Sequence, residues 1–203
     1  FWNNKSYLCG TRRDTTTNGV ARIEMSEVEF DNDECVEISR VRIPLPSNED
    51  SYCEKNWMPI LHMPYHFVKW SNPVQIVKTD QTASYCENVH MGSYYPMDYD
   101  WRGGGQIIEH NNYYYGIIHE SVPVATELNK RDLLYYHKFI VWDKSWNLVT
   151  HSKRFTFTDS LVEFACGLCK LDQDVYISFG QTDLTGYVLK LPITKFESFI
   201  HGH

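Results

Sequence analysis

The chain has 203 residues, 42% of them hydrophobic and 15% aromatic, enough to build one packed domain. Its formal charge of −7 argues against nucleic acid as a partner, because neutralising phosphates needs a basic face. No apolar run approaches the roughly 20 residues of a membrane span, and no charged-then-apolar signal opens the sequence.

In chain order, short runs rich in Val, Ile, Tyr, Phe and Trp alternate with clusters of Asn, Asp, Gly and Pro, the pattern of strands and turns. "KSYLCGTRR", "ARIEMSEVEF" and "CVEISRVRIPL" form a first group, and "NWMPILHM", "HFVKW" and "VQIVKTD" a second. "GGQIIEH", "YYYGIIHESV", "YYHKFIVWD" and "LVTHSKRFTF" form a third. "VEFACGLCKLD", "DVYISFGQTD" and "GYVLKLPI" form a fourth. Helix signals are scarce. The groups recur roughly every 40 to 50 residues, a rhythm that predicts an all-β chain and, more finely, a β-propeller. A sandwich also has many short strands, but it lacks the block repeat. Residues 44–54 and 126–132 read as the longer loops, the first near the rim of a site.

Six cysteines (Cys9, Cys35, Cys53, Cys86, Cys166 and Cys169) are scattered along a chain too long to need disulfide staples. They are predicted to be free, mostly buried thiols in a reducing compartment, which favours the cytoplasm. Cys166 and Cys169 form "CGLC", but no second Cys/His pair stands at a matching spacing, so redox or metal chemistry there ranks third among the readings. The motifs require no metal and no other cofactor.

"WRGGGQIIEH" raises a further question. A phosphate loop sets its glycines between a strand and a helix N-terminus, with Lys-Ser or Lys-Thr following. Here a strand pattern follows, which excludes that reading.

"EKNWMP", "GGGQIIEHNNYYYGIIHES", "YYHKFIVWDKSWNLVTHSKRFTF" and "VEFACGLCKLDQDVYISFGQTD" occur in that order between Glu54 and Leu191. This series resembles the five-bladed β-propeller mannoside phosphorylases and β-mannosidases, and a less characterised, glycosyltransferase-associated branch of them. The resemblance implies a single propeller domain over 1–203, with about four blades covered by this chain. The chain opens where the family's Asp-Pro-Arg segment would end. The N-terminal part of the fold is therefore expected in a larger parent chain or a partner that supplies the missing blade.

The same resemblance implies a carbohydrate-active protein, a glycoside hydrolase, phosphorylase or glycosyltransferase-related chain acting on a mannoside-like or other glycan. Inorganic phosphate is a candidate second ligand, and the reaction would proceed with inversion. The alternative is a non-catalytic module that binds a glycan or a protein. It is favoured by the missing Asp-Pro-Arg segment, and Gln106 and Ile107 stand where the family has a proline pair.

Glycosyl transfer needs a proton donor for the leaving oxygen, with a carboxylate to activate water or cations to hold phosphate. If blades converge on one axis, charges at strand starts meet there. Glu54, Glu163 and Asp183 are the catalytic candidates. Lys55, Arg102, His119, Glu120 and Trp57 are the substrate-binding candidates. Each has a structural alternative: an inter-blade salt bridge for Arg102, a solvated or bridging lysine for Lys55, and a rim ion pair for Glu54. Glu163 stands among apolar neighbours, where a carboxylate without a partner is costly. His119 and Glu120 are adjacent on a strand and so point to opposite faces unless a bulge intervenes. The "GQTDLTG" around Asp183 is equally good turn chemistry.

Overall fold

The computed structural model describes residues 1–15, 19–32, 34–47, 49–125 and 131–202. Within them, strands form four antiparallel sheets that follow one another along the chain. The first contains β1 (Ser6–Arg13), β2 (Ala21–Asp31) and β3 (Glu34–Arg42). The second contains β4 (Met58–Pro59), β5 (His66–Ser71), β6 (Val74–Lys78) and β7 (Glu87–Met91). The third contains β8 (Arg102–Gly103), β9 (Ile108–His110), β10 (Tyr113–Ala125), β11 (Arg131–Trp142) and β12 (Leu148–His151). The fourth contains β13 (Glu163–Leu171), β14 (Asp174–Gln181) and β15 (Thr185–Pro192), and helix α1 (Ile193–His201) follows it.

The four sheets coincide with the four sequence groups. β7 was not expected, because "ENVHM" is short and its two apolar residues, Val89 and Met91, are exposed on an outer edge. Helix α1 was not expected either, although Ile193, Phe196 and Ile200 recur at helical spacing and form its buried face. No helix among the described residues is long and apolar enough to cross a membrane. The loop expected at 126–132 falls outside the described residues apart from its last two positions, which belong to β11.

Period-two alternation decides which face of each sheet is buried. In β2, Ala21, Ile23 and Met25 turn inward, and in β14 Val175, Ile177 and Phe179 do the same. Three apolar cores result, each between consecutive sheets. Ile23, Met25 and Ile43 of the first sheet region meet Trp57, Phe67 and Val77 of the second. Met58, Val68 and Ile76 meet Ile118, Ile140 and Trp142 of the third. Ile117, Phe139 and Val141 meet Ala165, Leu168 and Ile177 of the fourth, with α1 completing that core.

Backbone contacts join neighbouring sheets as well. Glu54 N–H donates to Ala21 C=O at 3.0 Å, and Ile107 N–H donates to Pro59 C=O at 2.8 Å. Turns close the hairpins with left-handed residues, among them Asn111, Asn112 and Asp172.

The thiols correct one expectation. Only Cys86 is buried, whereas Cys35, Cys53, Cys166 and Cys169 are exposed. Cys166 and Cys169 lie on β13 but outside the core, which that strand enters through Ala165 and Leu168. Burial pushes the thiols of Cys86 and Cys9 up to about 12, so neither is a ready nucleophile.

The glycine run is where three sheets come closest. A Cβ on Gly103 would collide with the Asn56 carbonyl oxygen before β4. On Gly104 it would stand 2.7 Å from the Ala165 carbonyl oxygen, and Gly105 has a φ of +92° against Gly167. Only glycine permits this approach. Gly104→Ala is expected to lower stability by roughly 1–3 kcal/mol or more through overpacking, read as a lower midpoint in urea at unchanged slope. Wild-type stability in that variant would refute the close contact.

Candidate functional site

A cavity of about 370 Å³ opens where the inner edges of all four sheets meet. Residues 8–11 of β1 form one wall, and Asn56, Trp57 and Pro59 lead into and along β4. Residues 103–106 supply a third side, and Phe164 and Cys166 of β13 the fourth. Each of β1, β4, β8 and β13 is the terminal strand on its side of its sheet. Several groups on these edges are already engaged: the Pro59 carbonyl by Ile107 N–H, Ala165 N–H by His137, and Leu168 N–H by Gln106.

The lining is aromatic and polar but uncharged: none of the described residues that border it is Asp, Glu, Lys or Arg. Trp2 is fixed by its Nε1–H, which donates to the Ile60 carbonyl at 3.1 Å. The Tyr7 hydroxyl lies 3.2 Å from that of Tyr65, and burial together with this contact raises its pKa. Gln106 Oε1 accepts from Leu168 N–H at 2.8 Å, locking the side chain that follows the glycines onto β13.

Of the candidates read from sequence, Trp57 borders the cavity. Glu54 lies directly behind it, accepting from Trp57 Nε1–H at 2.8 Å. Lys69 Nζ stands 3.5 Å from the other Glu54 oxygen and is also paired with Glu49. Glu163 is fully buried, and its carboxylate accepts from the amides of Phe157 at 2.7 Å and Thr158 at 2.6 Å, and from the Thr158 hydroxyl. It therefore anchors the loop that leads into β13.

Glu120 accepts from Trp101 Nε1–H at 2.8 Å, is paired with Lys138 Nζ at 2.9 Å, and is engaged by Arg154. Asp183 is exposed in the β14–β15 turn with φ of +56°. Lys55 is exposed, and Arg102 pairs with the solvent-facing Asp100 at 3.0 Å while its guanidinium lies 4.9 Å from the Trp70 ring centre. The structure thus groups Glu54 with Trp57, sets His119 near Arg102 and Lys55, and keeps Glu163, Glu120 and Asp183 in three other places.

His119 and Glu120 point to opposite sides of β10, as adjacent strand residues must. His119 is buried against Phe164, with ring centres 5.0 Å apart, and stands opposite Arg102 in the β8–β10 register. His137 faces it across the β10–β11 ladder, and its Nε2 accepts from Ala165 N–H at 3.2 Å. Nδ1 of each ring is buried without a partner among the described residues.

Burial pushes the His119 pKa down to about 3, helped by His137, Arg102 and Lys55. Burial alone lowers that of His137 to about 4. Both rings are therefore neutral in the folded protein at pH 7.

Cysteines and charged residues drew the sequence reading past the neutral groups that border the cavity. Tyr7 and Asn56 were not among the site candidates, and Gln106 entered only as a departure from the family's proline pair. The available signal was position: Gln106 directly follows the glycines, and Asn56 separates Lys55 from Trp57.

No protein-family model matches the chain, and no curated protein matches it by sequence. Solved structures share its fold. A glycosyl hydrolase from Bacteroides ovatus is similar with a TM-score of 0.60 at 9% identity, over 95% of this chain and 63% of that one. A mannose phosphorylase from Leishmania mexicana, solved in complex with phosphate ion, is similar at 0.51 and 14% identity, over 94% and 64%. The chain therefore spans less than two thirds of the length of either protein, and at these identities the likeness is one of fold.

The buried imidazoles set the response to acid. Because their folded pKa values lie below the ordinary 6.5, the unfolded chain binds more protons as pH falls. Their contribution is complete above pH 6.5 and is lost progressively toward pH 4 and below, on the order of 3 kcal/mol per ring. Thermal denaturation from pH 7.5 to 4.5 should show a falling midpoint. The fall should be shallower in His137→Gln, which keeps an acceptor for Ala165 N–H. An identical slope in the variant would contradict this origin.

Proposed function

We propose that the chain is a carbohydrate-active β-propeller, its four sheets set radially as blades of a five-bladed fold, with a glycan held in the axial cavity. The observation that carries this reading is that one terminal strand from each sheet borders the same cavity. The chemistry of the wall agrees. A neutral sugar presents apolar C–H faces and a ring of hydroxyls, which call for aromatic surfaces flanked by amide donors and acceptors. Trp57 and Phe164 supply the first, and Asn56 and Gln106 supply the second. The glycosyl hydrolase and the mannose phosphorylase of similar fold lend support.

Binding of a saccharide is the role these groups support best in this chain. A hydrolytic or phosphorolytic reaction is a second reading, with Arg102, opposite His119 in the β8–β10 register, and Lys55 as its cations. These cations would hold phosphate or a sugar oxygen. Under that reading Glu54 is the preferred acid or base, because it is one hydrogen bond behind the cavity through Trp57. Glu163 and Asp183 would need to leave their present positions to take part.

A glycan array followed by calorimetry tests the binding role. Trp57→Leu, which removes the aromatic surface, and Asn56→Gly, which retains the left-handed backbone, should each weaken saccharide binding about tenfold. Turnover, assayed with and without phosphate, should vanish in Glu54→Gln if the chain is an enzyme, with binding kept. Absence of any bound saccharide, or equal binding by both cavity variants, would defeat the proposal.

A further inference from the structure

The connection between the second and third sheets, residues 92–101, leaves β7 and returns to β8 at the cavity. Two clasps hold it to the end of the β5–β6 hairpin. Asn72, itself buried, bonds the Tyr95 backbone in both directions: its Nδ2–H donates to the carbonyl at 2.7 Å, and its Oδ1 accepts from the amide at 2.8 Å. The Ser71 hydroxyl donates to the Trp101 carbonyl at 2.6 Å. Between the clasps, Met97 packs against the core that the two sheets share. The sheets on either side of this frame are both described, so its exposure does not depend on what lies beyond the first or the fourth sheet.

Exposed rings stand on this frame. Trp70 is the one exposed position of β5, at 37%, in a strand whose other residues are buried or half-buried. Tyr94 and Tyr95 are exposed as well. The Arg102 guanidinium lies over the Trp70 ring at 4.9 Å, and its Nη2 donates to Asp100 at 3.0 Å, so the cation is held from two sides. Arg102 directly precedes Gly103, which borders the axial cavity. The second sheet runs β4-β5-β6-β7 with β4 at that cavity. Trp70 on β5 is therefore one strand away from it, and Tyr95, clasped at the β5–β6 turn, stands farther out.

We infer that Trp70 and Arg102 form an outer subsite for the second and third sugars of an oligosaccharide whose first residue occupies the axial cavity, with Tyr95 as the next ring along its path. This rests on the sugar reading above and makes the ligand a chain rather than a single sugar. The exposed part of the indole takes the C–H face of a sugar ring, and the guanidinium offers N–H donors to its hydroxyls. The clasps at Ser71 and Asn72 fix this surface before the ligand arrives, so little conformational freedom is lost on binding.

Calorimetry with mannose and its β-linked oligomers of two, three and four residues tests this. Affinity should rise about tenfold or more from mannose to the trimer. Trp70→Leu, which keeps an apolar side chain on β5 but removes the ring, should flatten most of that rise and leave the affinity for mannose unchanged. Trp70→Phe, which retains an aromatic face, should restore part of it. Tyr95→Leu should weaken only the longest ligands. The mannose affinity of each variant is its own control for folding.

Equal affinity for mannose and its oligomers would overturn the subsite and leave the sugar reading intact. A length dependence that survives in Trp70→Leu would overturn it too. So would a loss of mannose affinity in that variant equal to the loss for the oligomers, since the ring would then act by supporting the cavity. Binding of none of the four ligands would end the inference, while the glycan array tests the sugar reading separately.

Discussion

Three sheets touch backbone to backbone at residues 103–105, and the geometry of the cavity follows from that contact. Gly103 lies under the carbonyl of Asn56, Gly104 against that of Ala165, and Gly105 beside Gly167. Any side chain at these positions would wedge the sheets apart. With none, the ends of β4, β8 and β13 come close enough to border one space, and β1 closes the remaining side. The run that resembles a phosphate loop in composition serves packing, with Gly103 and Gly104 buried between the sheets.

The buried carboxylates serve the same end by another route. Glu54 ties Trp57 to Lys69 between the first two sheets, Glu120 gathers Trp101, Lys138 and Arg154, and Glu163 holds the amides of residues 157 and 158. Each satisfies donors that would otherwise be buried unpaired, a large cost in a dry interior. With the charge consumed in these anchors, the cavity wall is left neutral. Solvent-exposed ion pairs gather instead on the first sheet, where Arg12, Arg40 and Arg42 meet Glu24, Glu37 and Asp14.

The strands were legible in the sequence because half-buried strands must alternate, and the four groups followed because turn residues recur between them. The alternation of "ARIEMSEVEF" is the alternation of the β2 interior. β7 was overlooked because five residues in which only Val89 and Met91 are apolar make too short a pattern to mark a strand. α1 carried its spacing of 193, 196 and 200 openly, but in a chain dominated by strand signals its nine residues were overlooked. At the site, Trp57 and the glycines stood out; Glu163, read as a catalytic candidate among apolar neighbours, is held by the amides of Phe157 and Thr158. What could not be read was which donors would hold it, because Thr158 and Phe157 reach it through a loop conformation. Neutral residues such as Asn56 and Gln106 owe their place to the meeting of sheets distant in sequence, and no local pattern encodes that.

The central claim is that four consecutive sheets present one shared saccharide-binding cavity. Backbone amide NMR with a titrated oligosaccharide tests it most directly. The account predicts concerted shifts in residues from all four sheets together, at 8–11, 56–57, 103–106 and 164–166. Shifts confined to a single sheet, or spread over the outer strands β7, β12 and β15 with those segments silent, would contradict it.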